Sequence, residues 1–169
     1  MARTRKRTKT RRRKQRGGNA DLLTNTGAPA APEPASVKLD VRFQPNNVYS
    51  ASETGPILSK TNSRPEPRVE WTPPPKGTLY TFLCWDPDAS WLHWLIVNAT
   101  GNGPDSGTSA MSWAPPTPPS GQHRYIFEVF QQSAKLKPAV DRPNFNIANF
   151  VQQHSLTPVS KYKGIRVNS

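Results

Sequence analysis

Cysteine is almost missing from this chain: Cys84 stands alone, so no internal disulfide can staple the fold. Its setting, the apolar run at residues 80–85, disfavours a reactive thiolate. Long hydrophobic runs are missing too, and none approaches the ~20 residues that a membrane-spanning helix needs. The basic amino terminus leads into Gly17, Gly18, Asn19 and Asp21 rather than an apolar segment, which argues against both a transmembrane protein and signal-peptide export. No internal repeat and no G-x-S-x-G elbow is visible. Acidic residues are absent before Asp21, and no aromatic residue interleaves that stretch.

What fills that stretch is positive charge. Arg3, Arg5, Lys6, Arg7, Lys9, Arg11, Arg12, Arg13, Lys14 and Arg16 lie within the first sixteen positions. The thirteen remaining basic residues nearly balance eleven acidic ones, so +10 of the net +12 belongs to the tail and the body carries only +2. Such a block binds nucleic acid or another polyanion through phosphate contacts that do not read sequence. Without aromatic residues it does not stack on bases. Nuclear import, anionic lipid and a nucleic-acid-filled shell are the other uses of such a segment, which favours the cell interior, a nucleus or a virion over secretion. Residues 19–36 follow as an Ala/Pro/Thr-rich linker, and residues 1–36 together lack the apolar surface to offset chain entropy, so a disordered tail is expected.

A single folded domain is expected over residues 37–169. Val37, Leu39, Val41 and Phe43 alternate with polar residues at the period of a half-buried strand. Further strands are predicted at 68–71, 78–85, 93–98 and 124–131. Nineteen prolines, many paired, exclude long helices and mark the connections. One short helix is predicted over 147–153, with Asn146 as its N-cap and Ile147, Phe150 and Val151 on one face. These features specify a mainly β fold, an antiparallel Greek-key sandwich with one or two short helices.

Three of the strand-like runs deliver ionisable groups at one end: Asp86, Asp88, His93, His123 and Tyr125, the densest titratable set outside the tail. Asp86-Pro87-Asp88-Ala89, then His93-Trp94-Leu95-Ile96-Val97-Asn98, then Gly121-Gln122-His123-Arg124-Tyr125, then Arg142-Pro143-Asn144-Phe145-Asn146 occur in that order. The chain thereby resembles the phosphatidylethanolamine-binding protein family, whose pattern is D-P-D-A-P, a strand opening H-W/H-L-V-V-N, G-x-H-R-Y and R-x-N-F-N. The likeness runs loosely over residues 37–167. It implies the same β-sandwich, and a ligand cavity lined by Asp86, His93, His123 and Tyr125.

The residue chemistry is consistent with a pocket for a phosphate-type anion or phospholipid headgroup. Imidazole N–H, phenol O–H and turn amides around Pro119, Ser120 and Gly121 are its donors. His123 and Tyr125, two apart on a strand, share a face. A carboxylate beside an anion site would repel the ligand, so Asp86 is read as holding an imidazole nitrogen and making the opposite nitrogen the better donor. Asp88 joins the binding set with a weaker claim, since D-x-D-A also caps turns, and Arg124 is read as a structural ion pair. Trp91 and Pro119 are expected at the rim. Ser90 stands where the family has proline, and the loop before the next motif is cut to three residues.

Catalysis is not indicated. The D-x-D of aspartyl-phosphate phosphatases requires a doubly wound α/β scaffold that this proline-dense β chain does not suggest. Asp86, His93 and His123 have a spacing that matches no metal motif. Ser120 near His123 has no evident base pairing. The chain therefore reads as a non-enzymatic binding protein without cofactor or metal, with a polyanion-binding tail and a protein partner in the manner of the family. The alternative is a structural nucleic-acid-packaging or virion coat protein, whose arginine-rich arm and β-sandwich follow the same plan.

Overall fold

The computed structural model describes residues 36–43, 49–72 and 76–169, and the basic tail lies outside them. The alternating segment forms β1 (Leu39–Phe43), with Leu39, Val41 and Phe43 buried and Arg42 exposed. It pairs with β2 (Tyr49–Ser50) and β4 (Arg68–Trp71) in an antiparallel three-stranded sheet.

The larger sheet contains β3 (Ile57–Leu58), β5 (Leu79–Asp86), β6 (Trp91–Ala99), β7 (Thr108–Met111), β8 (Gln122–Gln132), β9 (Thr157–Pro158) and β10 (Lys163–Asn168). Its order is β3-β10-β8-β5-β6-β7, with β9 also on β8. The mainly β sandwich is as the sequence indicates, with one addition: β3 runs parallel to β10, so this sheet is mixed.

Burial explains why β5 and β6 read as continuous apolar runs rather than alternating ones. Both are central strands with both faces covered. Between the sheets, Val41, Phe43, Val69 and Trp71 meet Phe82, Trp94, Phe127 and Ile165. Phe82 is the hub, stacked on Trp71 at 6.0 Å and on Phe127 at 6.3 Å, with Trp94 edge-on at 5.1 Å. Burying one such ring contributes about 1.5–3 kcal/mol. Cys84 is also wholly buried here, and burial raises its thiol pKa, as its apolar setting implied.

On the far face, Leu83, Leu95, Val97 and Phe130 pack against Phe145, Phe150 and Leu156. Phe150 belongs to α2 (Ile147–Gln153), where the Asn146 side chain accepts from the amide of Asn149 at 3.0 Å. Among the described residues the other α-helix is the single turn α1 (Lys60–Ser63).

The asparagine that closes the second motif has a structural task. Asn98 lies at φ 58, the left-handed region that Asn tolerates better than most residues. Its side chain bonds Gln132 Nε2, the Leu136 amide and the Leu136 carbonyl. Gln132 Oε1 in turn accepts from Thr81 and from the Asn98 amide. This satisfied buried network anchors residues 132–136 onto the central strands, where an unmet polar group would be costly.

Candidate functional site

Asp86 ends β5 and begins a four-residue connection to β6. Its Oδ1 accepts from the amides of Asp88 at 2.8 Å and Ala89 at 3.1 Å, the short-range bonding that makes Asx turns favourable. Ser90 completes the turn at φ 50, and its carbonyl accepts from the Phe145 amide at 2.7 Å. The carboxylate is therefore fixed by its own turn and is only 2% exposed.

His93 is placed by an irregularity in β6. Cys84 pairs with Trp94 and Trp85 with Leu92, which leaves His93 as the extra residue of a β-bulge. A bulge re-aims a side chain without breaking the strand, and here the imidazole joins the cavity wall. Arg142 secures the bulge by donating to the carbonyls of Leu92 at 3.1 Å, His93 at 2.9 Å and Ser112 at 2.7 Å. The Ala114 amide also donates to the His93 carbonyl, and the ring Nδ1 returns a bond to the Ala114 carbonyl at 2.7 Å. Arg142 was visible in the fourth motif, but its role depends on contacts with carbonyls some thirty to fifty residues away in sequence.

His123 and Tyr125 share the inward face of β8, as their spacing requires. His123 Nδ1 donates to Asp86 Oδ2 at 2.7 Å. The Tyr125 ring stands edge-on to His93 at 5.0 Å. A cavity of about 310 Å³ opens between these groups, and Ala89, Trp91, Thr117, Pro118 and Pro119 complete its lining.

Asp86, His93, His123, Tyr125, Trp91 and Pro119 are thus brought together, whereas Asp88 and Gly121 are not. The Asp88 carboxylate turns to Arg124, accepting from its amide at 2.8 Å and its guanidinium at 2.7 Å. Gly121 serves the turn into β8 at φ 66 and is exposed. Thr117 and Pro118 were not singled out from sequence, because nothing chemical distinguishes them from the neighbouring loop residues. The ten basic tail residues lie outside the described residues.

The acceptors opposite both Nδ1 atoms determine what the cavity can do. A carbonyl and a carboxylate only accept, so each Nδ1 carries the proton. In a neutral ring the other nitrogen, Nε2, then presents a lone pair, and it becomes a donor only on protonation. Neither Nε2 has a hydrogen-bond partner among the described residues. Burial lowers the His93 pKa, against the opposing pull of the Ala114 carbonyl and the Asp86 charge. Burial, aided by the Asp86 charge, raises the Tyr125 phenol beyond its ordinary range, so it stays a protonated donor. The Arg124 hydrogen bond lowers the Asp88 pKa at the surface. Among the described residues no three metal-ligating side chains gather at one point.

Comparison with known proteins adds a family to this geometry. The family profile described as phosphatidylethanolamine-binding protein matches residues 43–161. The rice (Oryza sativa subsp. japonica) protein MOTHER of FT and TFL1 homolog 2 is 35% identical across 48% of this chain and 55% of its own length. A candidate odorant-binding protein of Drosophila melanogaster, A5, is 33% identical across 64% of this chain and 61% of its own. The chain thus spans between about half and two thirds of these curated relatives. A solved phosphatidylethanolamine-binding protein from Plasmodium vivax superposes with a TM-score of 0.64 at 16% identity, covering 80% of this chain and 86% of the other. At that identity the likeness is one of fold.

Proposed function

Since the chain belongs to the phosphatidylethanolamine-binding protein family, we propose that it is a non-catalytic binding protein whose cavity takes a phosphate-type anion or phospholipid headgroup by proton uptake. The observation that carries this reading is the pair of histidines with both Nδ1 atoms committed to protein acceptors. Two free Nε2 atoms and the Tyr125 phenol then face a small cavity. Protonating one or both rings supplies charge-assisted donors to an anion. Asp86 acts through His123 and does not touch the ligand. The volume suits a headgroup or another small ligand, at the lower end of the range for small-molecule sites.

NMR titration of phosphoethanolamine is the direct test. Amides of His93, His123 and Tyr125 should shift together and saturate in the millimolar range or below, and a His123→Ala variant should lose most of the response. Shifts elsewhere, or none at all, would reject the headgroup reading.

The amino-terminal block supports a second activity of the same protein, since ten cations within sixteen positions suit a polyanion. Deleting residues 1–18 should abolish most salt-sensitive retention on duplex DNA or RNA. Unchanged retention in the deletion variant would refute that role. A packaging or coat function additionally requires assembly with nucleic acid, which would appear as particles in size-exclusion profiles.

A further inference from the structure

The far face of the large sheet is covered over only part of its width. Residues 145–156 shield β6, the neighbouring part of β5 and Phe130 near the end of β8, while the area formed by the first part of β8 and by β10 remains open. Pairing register dictates what that end displays. Along β8, Arg124, Ile126 and Glu128 alternate with the inward-facing His123, Tyr125 and Phe127, so they point away from the histidine cavity. Ile126 stands opposite Trp85 on one side and Gly164 on the other. Gly164 carries no side chain, and a Cβ there would come within 3.3 Å of the Ile126 Cδ1. The result is a trough of about 360 Å³ floored by Ile126 and Gly164, with Trp85 and Tyr162 among its walls and Glu128 in its lining.

Glu128 is the unusual member. Its Oε2 accepts from the Trp85 indole Nε1 at 3.2 Å, and among the described residues no Lys or Arg lies within ion-pair distance. Two arginines also line the trough: Arg124 is paired with Asp88 at 2.7 Å, while Arg166 keeps its charge and directs Nε to the Gly55 carbonyl at 2.7 Å; Lys161 lies 3.8 Å from Glu53. Burial raises the Glu128 pKa, which reflects the cost of a carboxylate set in apolar surroundings without a counter-charge. Tyr162, in the same lining, is 47% exposed, so an aromatic surface of the trough is open to solvent. A ligand cation would compensate the carboxylate, and aromatic surfaces favour a cation with an apolar body.

We propose that this trough is a second binding site, for a small primary amine with an apolar body. The ammonium group pairs with Glu128, and the hydrocarbon part lies over Ile126 and Gly164 between Trp85 and Tyr162. The site is independent of the histidine cavity, because the two lie on opposite faces of β8. A phosphate-free probe therefore tests it separately from the headgroup reading.

The experiment uses the full chain and 2-phenylethylammonium chloride, followed by the Trp85 indole N–H and the Tyr162 and Gly164 amides. These signals should shift and saturate in the millimolar range. Uncharged 2-phenylethanol, identical in its apolar part, should bind at least about tenfold more weakly, because it lacks the charge-assisted bond. Glu128→Gln should bring the amine down to the level of the alcohol. Equal affinity of amine and alcohol for the unmodified protein would overturn the proposal without reliance on any variant. So would shifts confined to His93 and His123, an unchanged response in Glu128→Gln, or no shift up to about 10 mM amine.

Discussion

Raising the pH from about 6 to about 8 is expected to weaken binding of ethanolamine O-sulfate to the histidine cavity by between about ten- and a hundredfold. The sulfate ester is chosen because it stays ionised throughout, so only the protein titrates. With each Nδ1–H held by an acceptor, a neutral ring meets the anion with a lone pair and repels it. Protonation converts that contact into a donor. Burial holds the His93 pKa below its ordinary 6.5 in the free protein, so His93 is mainly neutral at and above that pH. Binding through it then takes up a proton, and affinity falls as pH rises, approaching one decade per pH unit. A phosphate monoester, which can bring its own proton near neutral pH, should show a flatter profile. Isothermal titration in two buffers of different ionisation enthalpy would count the protons. A pH-independent affinity with no proton uptake would refute the mechanism.

The same shift has an opposite consequence for the unliganded fold. A depressed His93 pKa means that the unfolded chain binds more protons than the native state between the native pKa and 6.5. The stability contributed by neutral His93 is therefore fully present above pH 6.5 and is lost as pH falls through the native pKa. Ligand and fold thus draw the same ring in opposite directions.

Replacing Asp86 should produce the second large effect. Asp86→Ala removes three acceptor bonds at a buried position, stranding the amides of Asp88 and Ala89 and the His123 Nδ1–H. Urea denaturation should register a loss of about 3–5 kcal/mol, the range for breaking buried charge-assisted bonds on one side. Asp86→Asn is the more informative change. Its oxygen can keep both turn amides, while its NH₂ group now faces His123 Nδ1 and requires that nitrogen to accept. The tautomer reverses, Nε2 carries the proton in the neutral ring, and His123 becomes a donor without protonation. Imidazole ¹⁵N shifts of the variant should therefore report the exchanged tautomer at His123. An unaltered tautomer would show that Asp86 does not control the ring.

Much of this was legible in the chain because period and composition are local properties. The alternation of Val37, Leu39, Val41 and Phe43 marked a one-sided strand, and Asn146 before an apolar face marked α2, since both depend on neighbours within a few residues. The two-residue strands β2, β3 and β9 went unread because so short a segment carries no periodicity, and β7 because its small residues Thr108, Ser109 and Ala110 show no apolar alternation; only their partners define them. In the cavity, Asp86, His93, His123 and Tyr125 could be grouped from their motifs, whereas Asp88 was misplaced by the same motif. Its D-x-D spacing does not reveal that Arg124, thirty-six residues later, captures the second carboxylate.

Amino-acid order alone determined that this is a β-rich domain behind a cationic segment, because charge blocks, prolines and alternation act over short distances. Tertiary structure decided which atoms of the cavity remain free. A bulge at His93, a carbonyl from Ala114 and a carboxylate from Asp86 fix the two imidazoles, and such contacts follow from strand register and loop crossing. Register likewise left Glu128 without an ion-pair partner among the described residues of the far face, since Arg124 pairs with Asp88 and Arg166 is directed to the Gly55 carbonyl. Hydrogen-bond partners separated by tens of residues exist only once the sheet has formed, so proton position is a property of the fold.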